Sequence, residues 1–220
     1  VTHVIEAATT KIASPFAITL AKETIELVAK YLPIAVKEPE NIKARYYLLY
    51  ASLLGGICFD NGGLHYTHAL EHPLSAIKHE LSHGLGLAML LPAVIENIYP
   101  SKPEVLAYIL EPIVKLNGDK NEAKKASEGV YEWLKSIGVS EKLTDLGFKK
   151  EDVEKLTNLA FETLADLGHE IVLSDDLTFI TIRLPYDDSY TEMTYDGGYA
   201  ILPEFEKNKI LLQQALYGKE

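Results

Sequence analysis

HALEHPLSAIKHELSHGLGLAMLLP, residues 68–92, holds four of the seven histidines and runs from a polar, histidine-rich half into an almost wholly apolar one. The histidines fall in two pairs spaced by four, His68 with His72 and His79 with His83. In a helix such a pair shares one face. The second pair also spells H-E-x-x-H, and Gly86 extends it to H-E-x-x-H-x-x-G, the opening of a zinc protease motif in which the glutamate activates water. That chemistry needs the motif in the middle of a helix, because only helical spacing aims both imidazoles at one ion. Here His79 follows HPLSAIK, His83 is followed at once by Gly84 and Gly86, and Met89 occupies the position of a third ligand. The stretch therefore reads as a helix carrying His68 and His72, a loop, and an apolar helix with His83 at its head. A metallohydrolase using His79, Glu80 and His83 stands as an alternative. A single histidine is usually a surface or satisfied core residue. Four within sixteen residues, with His65 just before them and glycine-rich turns alongside, point to a metal or active site.

Outward from this stretch the chain is helical in pattern. Ser14-Pro15 opens a helix, Ser as N-cap and Pro in the first turn, with Ile18, Ala21, Ile25 and Val28 at helical spacing and an end near Pro33. Asn41 opens a second helix through ARYYLLYASLL, which the Gly55-Gly56 pair weakens. After the histidine region come PEVLAYILEPIVKL ending at Gly118, EAKKASEGVYEWLKSI ending at Gly138, and KEDVEKLTNLAFETLADL ending at Gly168. Residues 169–203 break the rhythm with β-branched residues, tyrosines and acidic turns, and read as irregular with one or two short strands before a last helix near 203–217. No repeat at a fixed period occurs. The expectation is an all-α helical bundle with a short irregular or β segment near 169–203.

Composition narrows the function. With 220 residues and 47% hydrophobic content, the chain can bury one substantial core. A formal net charge of −11, without a Lys/Arg cluster longer than a pair, leaves no footprint for a nucleic-acid backbone. The longest apolar run, Leu85 to Ile95, is about half a bilayer span and contains Pro92, so no membrane partner is expected. Cys58 alone cannot form an intrachain disulfide, and VTHVIEAATT lacks the regions of a signal peptide, which together suggest the cytoplasm. The chain opens inside a helical pattern, without an initiating methionine, as a longer chain cut upstream would.

FDNGGLHYTHALEHPLSAIKHELSHGLGLAMLLP, residues 59–92, resembles the signature of the iron-containing alcohol dehydrogenases, in which a phenylalanine, an asparagine and glycines lead to H-x-x-x-H-P-L, then to H-G at the head of an apolar helix ending in L-P. VTHVIEA, residues 1–7, resembles that family's D-x-x-T-H-x-I-E-A segment. The resemblance runs from Val1 to about residue 168. It implies the C-terminal helical domain of the iron-containing alcohol dehydrogenase and dehydroquinate synthase-like fold. Residues 1–168 would form the helical metal-binding catalytic domain, with 169–220 an irregular segment and terminal helix packed on the same domain.

Carried over by position, the resemblance implies metal ligands at His3, His68 and His83, and a fourth ligand, an aspartate, four residues before His3 and so not among these residues. His72 matches a residue that helps relay the alcohol proton. Phe59 and Asn61 match positions lining the substrate pocket. His65 stands where the family often has glycine. The implied ion is Fe2+, or Zn2+ by substitution, since zinc binds such sites more tightly. The implied activity is NAD- or NADP-dependent oxidation of alcohols or reduction of aldehydes, the ion polarising the alcohol oxygen. The family's dinucleotide-binding domain precedes T-H-x-I-E, and no G-G-G-S or G-x-G-x-x-G run after a strand occurs here. The chain alone is therefore expected to be inactive, to bind metal weakly, and to self-associate through surface the missing domain would cover. A non-catalytic helical module with a vestigial site is the remaining alternative.

Overall fold

The computed structural model describes residues 1–166, 170–173, 179–183 and 193–196, with side chains through residue 160. The elements are α1 (Thr2–Thr9), α2 (Pro15–Lys37), α3 (Ile42–Asp60), α4 (Tyr66–Ile77), α5 (His83–Ile98), α6 (Pro103–Leu110), α7 (Ala123–Ser136) and α8 (Asp152–Asp166), followed by β1 (Glu170–Leu173), β2 (Phe179–Arg183) and β3 (Met193–Asp196). The architecture is helical, as the spacing of apolar residues predicts. The chain divides into two compact units, one of Val1–His68 and Leu87–Ser140, the other of Ala69–Gly86 and the described residues from Glu141.

In the first unit α1 lies at the centre. Val4, Ile5, Ala7 and Ala8 are fully buried, and α2, α3 and α6 all pack against the helix. Small residues make this close approach possible. A Cβ on Gly62 would meet the Ala7 carbonyl oxygen and lie 2.8 Å from the Ala7 Cβ, so only glycine lets the turn after α3 close on α1. The Thr10 hydroxyl then donates to the Gly62 carbonyl at 2.7 Å. Helices α2 and α3 pack along each other, with the Tyr31 and Tyr47 rings stacked at 4.4 Å and the Cys58 thiol donating to the Ala17 carbonyl at 3.3 Å.

Both helices start at side-chain caps. Ser14 Oγ accepts from the Ala17 amide at 3.1 Å and Asn41 Oδ1 from the Ala44 amide at 3.0 Å. Helix α5 is buried round most of its circumference, through Leu87, Leu90, Leu91, Val94, Ile95 and Ile98, as its run of apolar residues requires. No helix among the described residues is long and apolar enough to cross a membrane.

In the second unit Leu74, Leu143, Phe148, Val153 and Leu156 are buried, and Lys78 Nζ stands 5.4 Å from the Phe148 ring centre. The strands form one antiparallel sheet in the order β1-β2-β3, with Glu170 opposite Arg183 and Phe179 opposite Asp196.

Several expected boundaries shift. Helix α2 does not end near Pro33 but runs on to Lys37, because packing against α3 outweighs the one hydrogen bond that proline removes. Helix α3 passes unbroken through Gly55 and Gly56 to Asp60; a Cβ at Gly55 would lie 3.9 Å from Val4 Cγ1, so α1 packs over that position. Helix α6 stops at Leu110, well short of Gly118, because Pro112 has no amide hydrogen to continue the helical ladder and the Ile113 amide turns back onto the Leu110 carbonyl at 2.8 Å. Three strands stand in the segment expected to hold one or two. The terminal helix expected near 203–217 lies outside the described residues.

Candidate metal centre

Helix α4 begins one residue after His65 and carries His68 and His72 one turn apart. Its first turn is bound by a residue of α1. The Glu6 carboxylate, fully buried, accepts from the Thr67 amide at 2.5 Å and from the His68 amide at 3.3 Å, placing a negative charge where a helix leaves its amides unpaired. The same carboxylate is hydrogen-bonded to Nδ1 of His68, and His65 Nδ1 lies 3.6 Å away. Nε2 of His65 is 2.9 Å from the Thr9 hydroxyl, which itself donates to the Ile5 carbonyl. Burial alone would push the Glu6 carboxyl up. The charge of His65, the hydrogen bond and charge of His68 and the Thr67 amide together outweigh it and hold the group at about 2. Burial also lowers the pKa of His65 below that of a free imidazole, against the pull of Glu6.

His3 is half-buried on α1 with its ring edge-on to His68, the ring centres 4.4 Å apart and the planes at 71°. Phe59, in the last turn of α3, lies 5.4 Å from the His3 ring, the planes tilted by 53°. Two expected ligands and one expected pocket residue of the first unit are thus in contact. Asn61 is the C-cap residue of α3, and its side-chain amide donates to the Ile57 carbonyl at 2.8 Å.

The second unit holds the other two expected site histidines, His72 and His83. His83 is the first residue of α5, and its Nδ1 is hydrogen-bonded to the buried carboxylate of Glu71 on α4. Ser75, one turn on, donates its hydroxyl to the other oxygen of Glu71. Gly86 is required by this contact. A Cβ there would lie 2.6 Å from Glu71 Oε1 and 2.8 Å from its Cγ. The exposed ring of His72 stands 5.8 Å from that of His83, and Glu71, His72 and His83 each offer a ligand atom within 4.8 Å of the others. Imidazoles with a carboxylate, grouped this closely, suit a divalent ion of borderline hardness.

HELSH does not form a helical pair. His79 and Glu80 lie exposed in the turn between α4 and α5, and only His83 is helical. The two rings therefore lack the shared helical face that the protease geometry requires. Glu6 and Glu71, which hold the His68 and His83 rings by hydrogen bonds, are not among the residues that the motifs single out. Their signal was available: each is the one acid of its helix, three positions after a histidine.

Residues 1–175 match the family model described as Fe-containing alcohol dehydrogenase family, C-terminal. A long-chain primary alcohol dehydrogenase of Thermoanaerobacter ethanolicus is 58% identical over 162 residues, covering 73% of this chain and 41% of that protein. A 1,3-propanediol dehydrogenase of Klebsiella pneumoniae is 34% identical over 168 residues, covering 73% of this chain and 42% of its own length. The crystal structure of a 1,3-propanediol oxidoreductase superposes with a TM-score of 0.72 at 28% identity, covering 98% of this chain and 49% of that one. The chain thus spans about two fifths of the length of the curated relatives it matches.

Proposed function

This chain belongs to the iron-containing alcohol dehydrogenase family, as a C-terminal region, and we propose that it supplies the metal-binding side of an NAD- or NADP-dependent alcohol dehydrogenase or aldehyde reductase. The observation that carries this reading is the pair of imidazoles His3 and His68, ring against ring and backed by the buried carboxylate of Glu6. His3, His68 and His83 are the proposed ligands of Fe2+, or of Zn2+ in its place. When bound, such an ion supplies Lewis acidity that lowers the pKa of an alcohol and polarises a carbonyl.

The chain's own residues do the rest. His72 is exposed and stands beside His83, where it can accept the proton an alcohol loses and pass it to water. Phe59 covers one side of His3 and presents an apolar wall to a substrate carbon chain, with Asn61 at the rim of the same helix end. A small alcohol or aldehyde is the proposed substrate, the nicotinamide held by a dinucleotide-binding domain of the parent protein. One cysteine, buried and unpaired, is compatible with a cytoplasmic setting.

Equilibrium titration with Zn(II) and Fe(II) tests the reading. His3→Ala, His68→Ala and His83→Ala are each expected to weaken binding, and His79→Ala to leave it unchanged. Wild-type affinity in both His68→Ala and His83→Ala would overturn the assignment. With ethanol or 1,3-propanediol as substrate, these 220 residues alone are expected to form no NADH, because hydride transfer needs the nicotinamide in contact with the substrate.

A further inference from the structure

The two buried glutamates follow one spacing. Glu6 stands three residues after His3 on α1, and Glu71 three residues after His68 on α4. Each carboxylate reaches a histidine further along the chain: Glu6 is bonded to Nδ1 of His68, and Glu71 to Nδ1 of His83. H-x-x-E thus occurs twice, each helix contributing one imidazole of its own and the support for an imidazole further along the chain.

Burying a carboxylate is costly unless its oxygens are bonded, and here both are. In Glu6 the oxygen not facing His68 takes the Thr67 and His68 amides. In Glu71 the corresponding oxygen takes the Ser75 hydroxyl. Helix capping accounts for the amide contacts of Glu6 but not for its bond to the His68 ring. It accounts for nothing at Glu71, which lies in the interior of α4. Gly86 adds a second sign of a built contact, since any side chain there would collide with the Glu71 carboxylate.

An ionised carboxylate only accepts hydrogen bonds, so the ring nitrogen facing it must carry the proton. In the neutral ring the lone pair is then left on Nε2. We propose that Glu6 and Glu71 are positioning residues, holding His68 and His83 in the Nδ1–H tautomer and at a fixed ring angle so that Nε2 of each is the atom offered to a divalent ion. This rests on the reading of His68 and His83 as ligands. The partner behind a metal-binding imidazole fixes its tautomer and raises its basicity, and its loss typically weakens metal binding about 10- to 100-fold.

The first measurement needs no metal. Long-range proton–nitrogen NMR spectra of the metal-free chain, with the two rings assigned through His68→Ala and His83→Ala, are expected to show both as Nδ1–H tautomers. Either ring found as Nε2–H, or averaging between tautomers, overturns the proposal for that pair. The second measurement is Co(II) affinity and its visible absorption spectrum in wild type, Glu6→Gln, Glu71→Gln and the two histidine variants. The glutamine variants are expected to lose about 10- to 100-fold in affinity and to alter the Co(II) spectrum while their metal-free circular dichroism matches wild type. If His68→Ala loses the ion but Glu6→Gln binds as wild type does, the positioning role fails and the ligand assignment stands. If neither histidine variant loses affinity, the ligand assignment itself fails. Should a glutamine variant not fold, the wild-type tautomers decide alone.

Discussion

Gly84 and Gly86 stand in the same first turn of α5 and make opposite demands. A Cβ at Gly84 meets nothing within 4 Å, whereas one at Gly86 would press on the carboxylate, Cγ and Cδ of Glu71. Gly84→Ala is therefore expected to stabilise the chain by about 0.4–1 kcal/mol, through the lower entropy of the unfolded state. Gly86→Ala is expected to destabilise it by about 1–3 kcal/mol, the usual cost of overpacking. Denaturant melts of the two variants beside wild type check the pair, and equal shifts would contradict the contact. Cys58 is a second residue whose environment sets its chemistry. It is fully buried with its thiol hydrogen on the Ala17 carbonyl, and burial pushes its pKa up to about 11. The raised pKa favours the neutral thiol, so at pH 8 very little of the reactive thiolate forms in the folded chain. Ellman's reagent at pH 8 is expected to label Cys58 only after denaturant is added; rapid labelling of the folded chain would show that the site opens.

Helix starts were legible in the sequence because their signals are local. Ser14 and Asn41 open helices by their residue type, and each accepts an amide of its first turn. Ser14→Ala is expected to cost about 1 kcal/mol of stability, read as a lower melting temperature, while Ser14→Asp should hold near wild type. Helix ends were less legible, since Pro33 and Gly55-Gly56 are stop signals only for a helix without packing partners, and α2 and α3 support each other through both. A further cap precedes α7. Asp119 and Glu122 form a capping box, in which the Glu122 carboxylate accepts from the Asn117 amide at 2.7 Å and the Asp119 amide at 3.3 Å. The Asn117 amide bond and the contact with Lys125 lower the Glu122 pKa. A folded pKa below the unfolded one means the stabilisation is present above the ordinary carboxylate range and is lost as pH falls through the folded value. Glu122→Gln should therefore lower stability at neutral pH and converge with wild type in acid. A melting-temperature difference that stays constant from pH 7 to pH 2 would count against this cap.

At the scale of the whole molecule, the family and the helical class were readable because two motifs with fixed spacing fall in one order. Which acid supports which histidine was not readable. The partners of His68 and His83 come from other helices, 62 and 12 residues away in sequence, and only folding pairs them. Exposure of apolar surface is another whole-molecule property that pattern reading blurs, because α3 carries apolar residues nearly all round. Its buried side uses Ala44, Ala51, Leu54 and Cys58. Its other side leaves Ile42, Tyr46, Leu49 and Leu53 at 83%, 65%, 73% and 59% exposed, spaced by four, three and four residues so that they form one stripe. Contiguous apolar surface of this kind usually marks a face that is covered in a larger assembly. The chain on its own is therefore expected to self-associate as its concentration rises, and the stripe predicts where. Leu49→Lys with Leu53→Lys replaces two side chains that lose little burial, so stability should change by no more than about 0.5 kcal/mol, while the weight-average mass in sedimentation equilibrium should fall toward the monomer value of 24.5 kDa. A wild-type chain that remains monomeric at the highest loading, or a double variant that associates as strongly as wild type, would show that this face is not the one that makes contact.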